Sequence, residues 1–136
     1  MIIPSKTFQD NYQYYLNEIH YKALQVGPIK ETITSHIIDD LIFNTMDGKH
    51  LKIEITRSVT FEPSVLYELS VSYGAVLTVL ENVDSIEQTD WKEEFRKDPI
   101  CSNVLQALLS RISMQIAQIT SSYGQHPLVT PPNLMK

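Results

Sequence analysis

The residues of this chain that could carry chemistry are four histidines, one cysteine and a pair of adjacent aspartates. The histidines are scattered along the chain, at His20, His36, His50 and His126. They form no i, i+3 or i, i+4 pair and have no Cys-x-x-Cys partner, so their spacing does not favour a zinc site. Asp39 and Asp40 would point to opposite faces of a strand and would not converge as an acid–base couple. We therefore expect neither a metal site nor a cofactor.

The single cysteine, Cys101, cannot form an internal disulfide. It precedes a predicted helix, but a nucleophilic thiol also needs a nearby base or a lowered pKa, so a packed thiol is the better interpretation. The four glycines form no phosphate-binding loop, nucleophile elbow or dinucleotide fingerprint. We expect no catalytic residues, and an enzyme is the poorest explanation of this sequence.

The composition is that of one globular domain covering residues 1–136. Hydrophobic residues make up 43% of the chain and charged residues 20%, which is enough apolar material for a core. The net charge of −5, without a basic stripe, argues against nucleic-acid binding. The N-terminus does not resemble a signal peptide, and no apolar run approaches the ~20 residues that span a bilayer. These features predict a cytoplasmic protein without membrane insertion.

Strand patterns occupy the first sixty per cent of the chain. Apolar and polar residues alternate from Leu51 to Phe61, and Asp47-Gly48 is typical of a tight turn joining this strand to an earlier one at Ile37–Thr45. A second alternation runs from Val65 to Val79, in which Gly74 predicts a bend or bulge.

Two further segments give weaker signals. Tyr12–Val26 is rich in residues that favour strands and predicts an edge strand, whereas Ile29–His36 resembles a connection. Glu81–Asp98 holds seven acidic and three basic residues and contains a capping box at Ser85–Gln88, which predicts a short acidic helix. This acidic segment could dock a basic partner, or it could simply be a solvated face.

A long helix is predicted from Asn103 to Tyr123, because apolar residues recur there at spacings of three and four. Its other face, including Gln106, Ser110 and Ser113, is polar but almost uncharged, whereas solvated helices normally carry Lys and Glu. We predict that these three residues contact another subunit, with an ordinary surface helix of low charge as the alternative. Strands followed by a helix predict an α+β fold.

In this order of elements the chain resembles the SecB-type export chaperone family. The likeness rests on four segments: a first strand Tyr14–Gln25, the strand end Gly74–Val79, the start of the helix at Cys101–Leu105, and a Gly124-x-x-Pro127 ending followed by Pro131–Leu134. The resemblance implies a four-stranded antiparallel sheet with helices packed on one face, assembled as a dimer or a dimer of dimers. It also implies binding of non-native polypeptide in apolar grooves without nucleotide, in protein export or beside toxin–antitoxin systems.

The resemblance does not extend to the residues that dock the SecA motor in export-competent members. Those members carry acidic residues near the end of the first strand, where this chain has Ala23–Gly27, and on a later strand, where it has Glu68 and Ser70. Docking to SecA is therefore a doubtful part of the hypothesis.

A chaperone needs exposed apolar surface and free strand edges to bind many sequences. The candidate polypeptide-binding residues are Phe43, Tyr73, Tyr123, Leu128 and Val129. Tyr73 shares its parity with core-forming neighbours, so a core position is its alternative interpretation. The leading hypothesis is a SecB-like chaperone for unfolded or extended polypeptide, and the second is an adaptor of the same fold that binds one dedicated protein without motor docking.

Overall fold

The computed structural model describes residues 7–24, 32–80, 91, 97–121, 128–132 and 134. Its strands are β1 (Phe8–Ala23), β2 (Thr34–Asp47), β3 (His50–Glu62) and β4 (Tyr67–Val79), and its long helix is α1 (Pro99–Ser121). The strands form one antiparallel sheet in the order β1-β4-β3-β2. The predicted four-stranded antiparallel sheet with a long C-terminal helix is confirmed.

The β2–β3 hairpin forms one residue later than the turn signal indicated. Asp47 still pairs with His50, so the two turn residues are Gly48 and Lys49. The Asp47 carboxylate accepts the backbone N–H of Lys49 at 2.7 Å, which closes the turn from its first residue. The aspartate therefore supports the turn through its side chain and not by occupying a turn position.

Several element bounds differ from the predicted ones. β2 begins at Thr34, inside the segment predicted to be a connection, and β4 begins at Tyr67, because the chain turns through Leu66 with a positive φ of 69°. α1 begins at Pro99 because Asp98 caps it, accepting the backbone N–H of Ile100 at 3.0 Å. Proline suits this first helical position, because the backbone N–H that it lacks would have no partner within the helix.

β4 has no bulge at Gly74, so the bulge that the sequence predicted there is wrong. β4 pairs in regular register on both sides of this glycine, and the irregularities of the sheet fall in β1, between Phe8 and Tyr12 and between Leu16 and Glu18, and near the end of β2. Glycine is required at position 74 for a different reason: the ring of Tyr15 occupies the space in which a Cβ atom would lie.

The core lies between α1 and one face of the sheet, here called the helix side. Alternate residues of β3 and β4 point into it, and α1 crosses mainly over β4. Fully buried examples are Ile53, Ile55, Val71, Leu77, Leu108, Ile112 and Ile116. The other face of the sheet, here called the open face, has no helix against it among the described residues.

The predicted acidic helix falls largely outside the described residues. Trp91 is helical and buried, and its ring lies 5.1 Å from that of Phe8. Within the part of the chain that the structure describes, no helix is long and apolar enough to cross a bilayer.

Candidate polypeptide-binding surface and subunit contact

The outer strand β2 carries a line of exposed apolar side chains on the open face. Ile38, Ile42 and Met46 are 58%, 44% and 60% exposed and recur every fourth residue. Their cross-strand neighbours are polar: Ser58 faces Ile38, and Glu54 faces Ile42. We call these three side chains the β2 stripe.

β2 is an edge strand in the described sheet, because it pairs with β3 on one side only. Its other side presents backbone donors and acceptors along 14 residues. A strand added there would place alternate side chains on the two faces of the sheet. One set would meet the β2 stripe, and the other would face the helix side.

On the helix side, a C-terminal segment lies along α1 and contacts β3. This segment, here called the strap, consists of Leu128–Pro132 and Leu134 in the described chain. Leu128 and Leu134 are half-buried and pack against the core, whereas Val129 is 79% exposed. The backbone N–H of Leu128 donates to the Thr120 hydroxyl at 2.8 Å, which ties the strap to the last turn of α1.

A fully buried arginine, Arg57, ties the middle of the strap to the sheet. Its guanidinium donates two hydrogen bonds of 2.7 Å to the Asp39 carboxylate, which is itself buried. The remaining donor nitrogen, Nη1, bonds to Thr130 Oγ1 at 2.9 Å, to the Pro131 carbonyl at 2.6 Å and to Ser113 Oγ at 3.2 Å. One side chain thus joins β3, β2, α1 and the strap.

The predicted polypeptide-binding residues occupy different environments. Phe43 is half-buried on the helix side of β2, where it pairs with Ile53. Tyr73 is half-buried under α1, and its hydroxyl donates to Gln115 Oε1 at 3.3 Å. Of the two predicted residues in the strap, Val129 is exposed and Leu128 is half-buried, and Tyr123 lies outside the described residues.

A second exposed apolar surface lies where β1 meets α1. Tyr14, Leu16 and Ile19 point to the helix side but are 43%, 49% and 39% exposed, because α1 crosses mainly over β4 and covers only part of β1. On α1, Met114 is 64% exposed, one turn beyond Arg111, whose guanidinium stacks 3.9 Å from the centre of the Tyr14 ring. We call these four exposed apolar side chains the β1–α1 patch.

The three residues predicted to contact another subunit lie elsewhere on α1. Gln106 is exposed and lines an open hollow of about 250 Å³ beside Pro132 and Leu134 of the strap. Ser110 is half-buried. The Ser113 hydroxyl is engaged within the subunit, by Arg57 and the Pro131 carbonyl. Their role in assembly stays a prediction.

Burial raises the pKa of two titratable side chains on the helix side, Cys101 and Tyr12. Burial, followed by the nearby charge of Asp98, raises the pKa of the Cys101 thiol to about 12. Burial and the neighbouring Tyr14 raise the pKa of Tyr12, and the positive charge of Arg111 lowers it by a smaller amount. In the described ranges, no group of three His, Cys, Asp or Glu side chains is placed to hold a metal ion. The site therefore offers contact surface and hydrogen bonding.

Sequence reasoning missed the β2 stripe and Arg57, although both left a signal. Both the odd- and the even-numbered positions of β2 include apolar residues, whereas a strand with one face in solvent is expected to be apolar on one face only. Arg57 occupies a core-facing position between Ile55 and Val59, and Asp39 lies at the paired position of β2. Opposite charges at directly paired positions of two neighbouring strands, both facing the core, are the pattern of a buried cross-strand ion pair.

No protein-family model matches the chain, and no curated protein does. Among solved structures, the chain is similar to the Mycobacterium tuberculosis SecB-like chaperone Rv1957 in complex with a ChAD peptide from the HigA1 antitoxin Rv1956. The match has a TM-score of 0.66 and covers 88% of this chain and 89% of that one, at 10% sequence identity. Likeness at this identity speaks for the fold alone. With its β1-β4-β3-β2 sheet under the long helix α1, this chain has a divergent SecB-like fold.

Proposed function

We propose that the protein is a chaperone that binds unfolded or extended polypeptide segments, without nucleotide or cofactor. The observation that carries this proposal is the outer edge of β2 beside the exposed β2 stripe. Backbone hydrogen bonds along an edge strand hold any extended sequence, and apolar contacts on alternate residues add affinity. The M. tuberculosis neighbour, which has the same fold, is a chaperone in complex with a peptide, and this supports the proposal.

The client would lie along β2 as an added strand. Its side chains on the open face would contact Ile38, Ile42 and Met46, and those on the helix side would contact Phe43 and Val129. This arrangement uses Phe43 and Val129, two of the residues that the sequence suggested for binding, whereas Leu128 packs against the core. Binding of this kind requires apolar residues in the client and no particular sequence.

Binding is tested with an unfolded client and its folded form. We expect the protein to delay aggregation of a chemically denatured model protein at a stoichiometric ratio, and to raise the fluorescence anisotropy of a labelled extended peptide. The same protein in its folded state, which presents no free segment, serves as the control. Indifference to both the unfolded protein and the peptide contradicts the proposal.

The β1–α1 patch favours a homo-oligomer, because a second copy can cover apolar surface that neither α1 nor the rest of the described chain covers. β1 is the other edge strand of the sheet, so two copies could also pair through their β1 strands. A dimer formed in this way would leave β2 and the strap of each subunit open to clients. A dimer of dimers is equally compatible with the charge-poor outer face of α1.

The second candidate is an adaptor that binds one dedicated protein. The specific observation in its favour is that the peptide in the neighbouring structure comes from a single antitoxin. Competition distinguishes the two functions. A chaperone binds several unrelated extended peptides that displace one another at similar concentrations, whereas an adaptor selects one sequence and ignores the rest. Ala23–Gly27, at the first of the two expected docking positions, contains no acidic residue, and this gives no support to coupling with SecA.

A further inference from the structure

The side chains of Arg57 and Asp39 form a fully buried ion pair, and all three guanidinium nitrogens of Arg57 donate hydrogen bonds. Nε and Nη2 bind the two oxygens of Asp39 in the side-by-side geometry that suits a carboxylate. Nη1 reaches past the sheet to two strap residues, Thr130 and Pro131. The guanidinium therefore fixes the position of the strap relative to β2.

The contribution of the Arg57–Asp39 ion pair to folding stability does not by itself explain why it is buried. Replacing a buried ion pair with well-packed apolar residues is often neutral or stabilising, because taking both charges out of water is unfavourable. Apolar residues cannot, however, hold the strap by directed hydrogen bonds. Thr130 Oγ1 also donates to Ser113 Oγ at 3.1 Å, and Ser113 Oγ lies 3.3 Å from the Pro131 carbonyl, so the arginine organises a closed set of bonds.

The hydrogen bonds that hold the strap fall on both sides of Val129. Leu128 is held by Thr120, and Thr130 and Pro131 are held by Arg57. Val129, between them, is 79% exposed. A short segment fastened at both ends keeps its middle residue in one place, so that a ligand contacting it need not order it first.

We propose that Arg57 is a positioning residue for polypeptide binding: it holds the strap as a fixed wall beside β2, with Val129 facing the client. Arg57 itself is fully buried and does not contact the client. This inference rests on the proposed function, since it assigns a client contact to the helix side of β2. Asp39 links the strap to β2, because its carboxylate accepts hydrogen bonds from Arg57. Asp39 is the residue that follows Ile38 of the β2 stripe in the chain.

The decisive variant replaces the ion pair as a whole. Arg57→Met with Asp39→Leu removes both charges and leaves neither one buried without a partner. Strap mobility is measured by hydrogen exchange of residues 128–132, and client binding by anisotropy with the labelled extended peptide. We expect the double variant to keep its fold and oligomeric state, its strap amides to exchange at least about tenfold faster, and its client Kd to rise about tenfold.

A matched pair at Thr130 tests the same point without touching the ion pair. Thr130→Val keeps the shape of the side chain but loses the hydroxyl that Arg57 binds, whereas Thr130→Ser keeps the hydroxyl. Valine should accelerate exchange in the strap and weaken client binding, and serine should restore both. A purely structural role would lower the melting temperature of the valine variant without changing client affinity.

Three outcomes overturn the inference, and they are distinguishable. Unchanged strap protection in the double variant shows that Arg57 does not anchor the strap. A freed strap with unchanged client affinity shows that the strap is not part of the binding surface, while the proposed function stands. Failure of the wild-type protein to bind any client removes the proposed function, and this inference with it.

Discussion

Tyr15 of β1 reaches across Gly74 of β4 towards Glu54 of β3. The three residues lie in one row of the sheet, since Tyr15 pairs with Gly74 and Gly74 pairs with Glu54. Burial raises the pKa of Tyr15, and the charge of Glu54 and its hydrogen bond to the phenol raise it further. The ring covers the glycine backbone on the open face, so one tyrosine joins three strands.

Substituting Gly74→Ala should destabilise the protein, because the new methyl group would meet the end of the Tyr15 ring and displace it. Overpacking of this kind costs about 1–3 kcal/mol in the free energy of unfolding. Denaturant titration measures the change. In a Tyr15→Ala background the space is free, and Gly74→Ala should become neutral or stabilising by about 0.5–1 kcal/mol. Equal effects in the two backgrounds would contradict the contact.

Charges placed on the β2 stripe should weaken client binding without unfolding the sheet. We expect Ile38→Lys with Ile42→Lys to raise the Kd for an extended peptide at least about tenfold, because a lysine disfavours apolar contact at an edge strand. Both positions are exposed, so the melting temperature should change little. His20→Lys, on the same face at the opposite edge, is the control. Equal weakening by the control would place the client elsewhere.

Leu16→Lys should reduce the oligomeric state if the β1–α1 patch is the subunit contact. Leu16 is 49% exposed on the helix side of β1, and burying a lysine there against a second copy is unfavourable. Size-exclusion chromatography with light scattering gives the mass. Gln13→Lys, on the open face of the same strand, should leave the mass unchanged. A monomeric wild-type protein, or an unchanged mass for Leu16→Lys, would argue against this contact.

Cys101 should resist alkylation in the folded protein, because it is fully buried and its pKa is raised to about 12. A free thiol has a pKa of about 8.5, so the folded state favours the protonated form. The resulting stabilisation is complete below about pH 8.5 and is lost as the pH rises towards 12. Iodoacetamide labelling with and without denaturant measures the protection, and Cys101→Ala should weaken the alkaline fall in stability. Rapid labelling of the native protein would contradict this burial.

The β2–β3 turn should weaken in acid through Asp47. The backbone N–H of Lys49, and then the His50 side chain, hold the pKa of this exposed carboxylate below its usual range. Because the pKa of Asp47 is lower in the folded state, its carboxylate stabilises the fold at any pH above its pKa in the unfolded state, about 3.9. This stabilisation is lost as the pH falls through the pKa of the folded state. Acid titration followed by circular dichroism should show a flatter profile for Asp47→Asn. Identical acid profiles would exclude a role for this carboxylate.

Much of the fold could be predicted because local signals agreed with one another. The alternation of β3 between Leu51 and Phe61 and the three- and four-residue spacing of α1 each bury one face, and burial fixes the period. The ends of elements were less predictable. α1 begins at Pro99 because of the Asp98 cap, and β2 begins at Thr34 because β3 is long enough to pair with it.

The binding surfaces were harder to predict than the core. The sequence predicts Val129 as a binding residue, and the structure leaves its side chain exposed; the low charge of α1 is also visible in the sequence. The exposure of Ile38 and Leu16 depends on which strands lie at the edges of the sheet and on where α1 crosses it. Neither property is encoded in the spacing of residues along a strand.

The amino-acid sequence by itself determined the element types and the faces they bury, because hydrophobic periodicity acts over a few neighbouring residues. Tertiary structure alone decided the partners of Arg57. Asp39, Ser113 and Thr130 lie 18, 56 and 73 residues away along the chain, and only the packing of β2, α1 and the strap brings them to one guanidinium. A buried charge selects its partners by distance in space, and local sequence carries no measure of that distance.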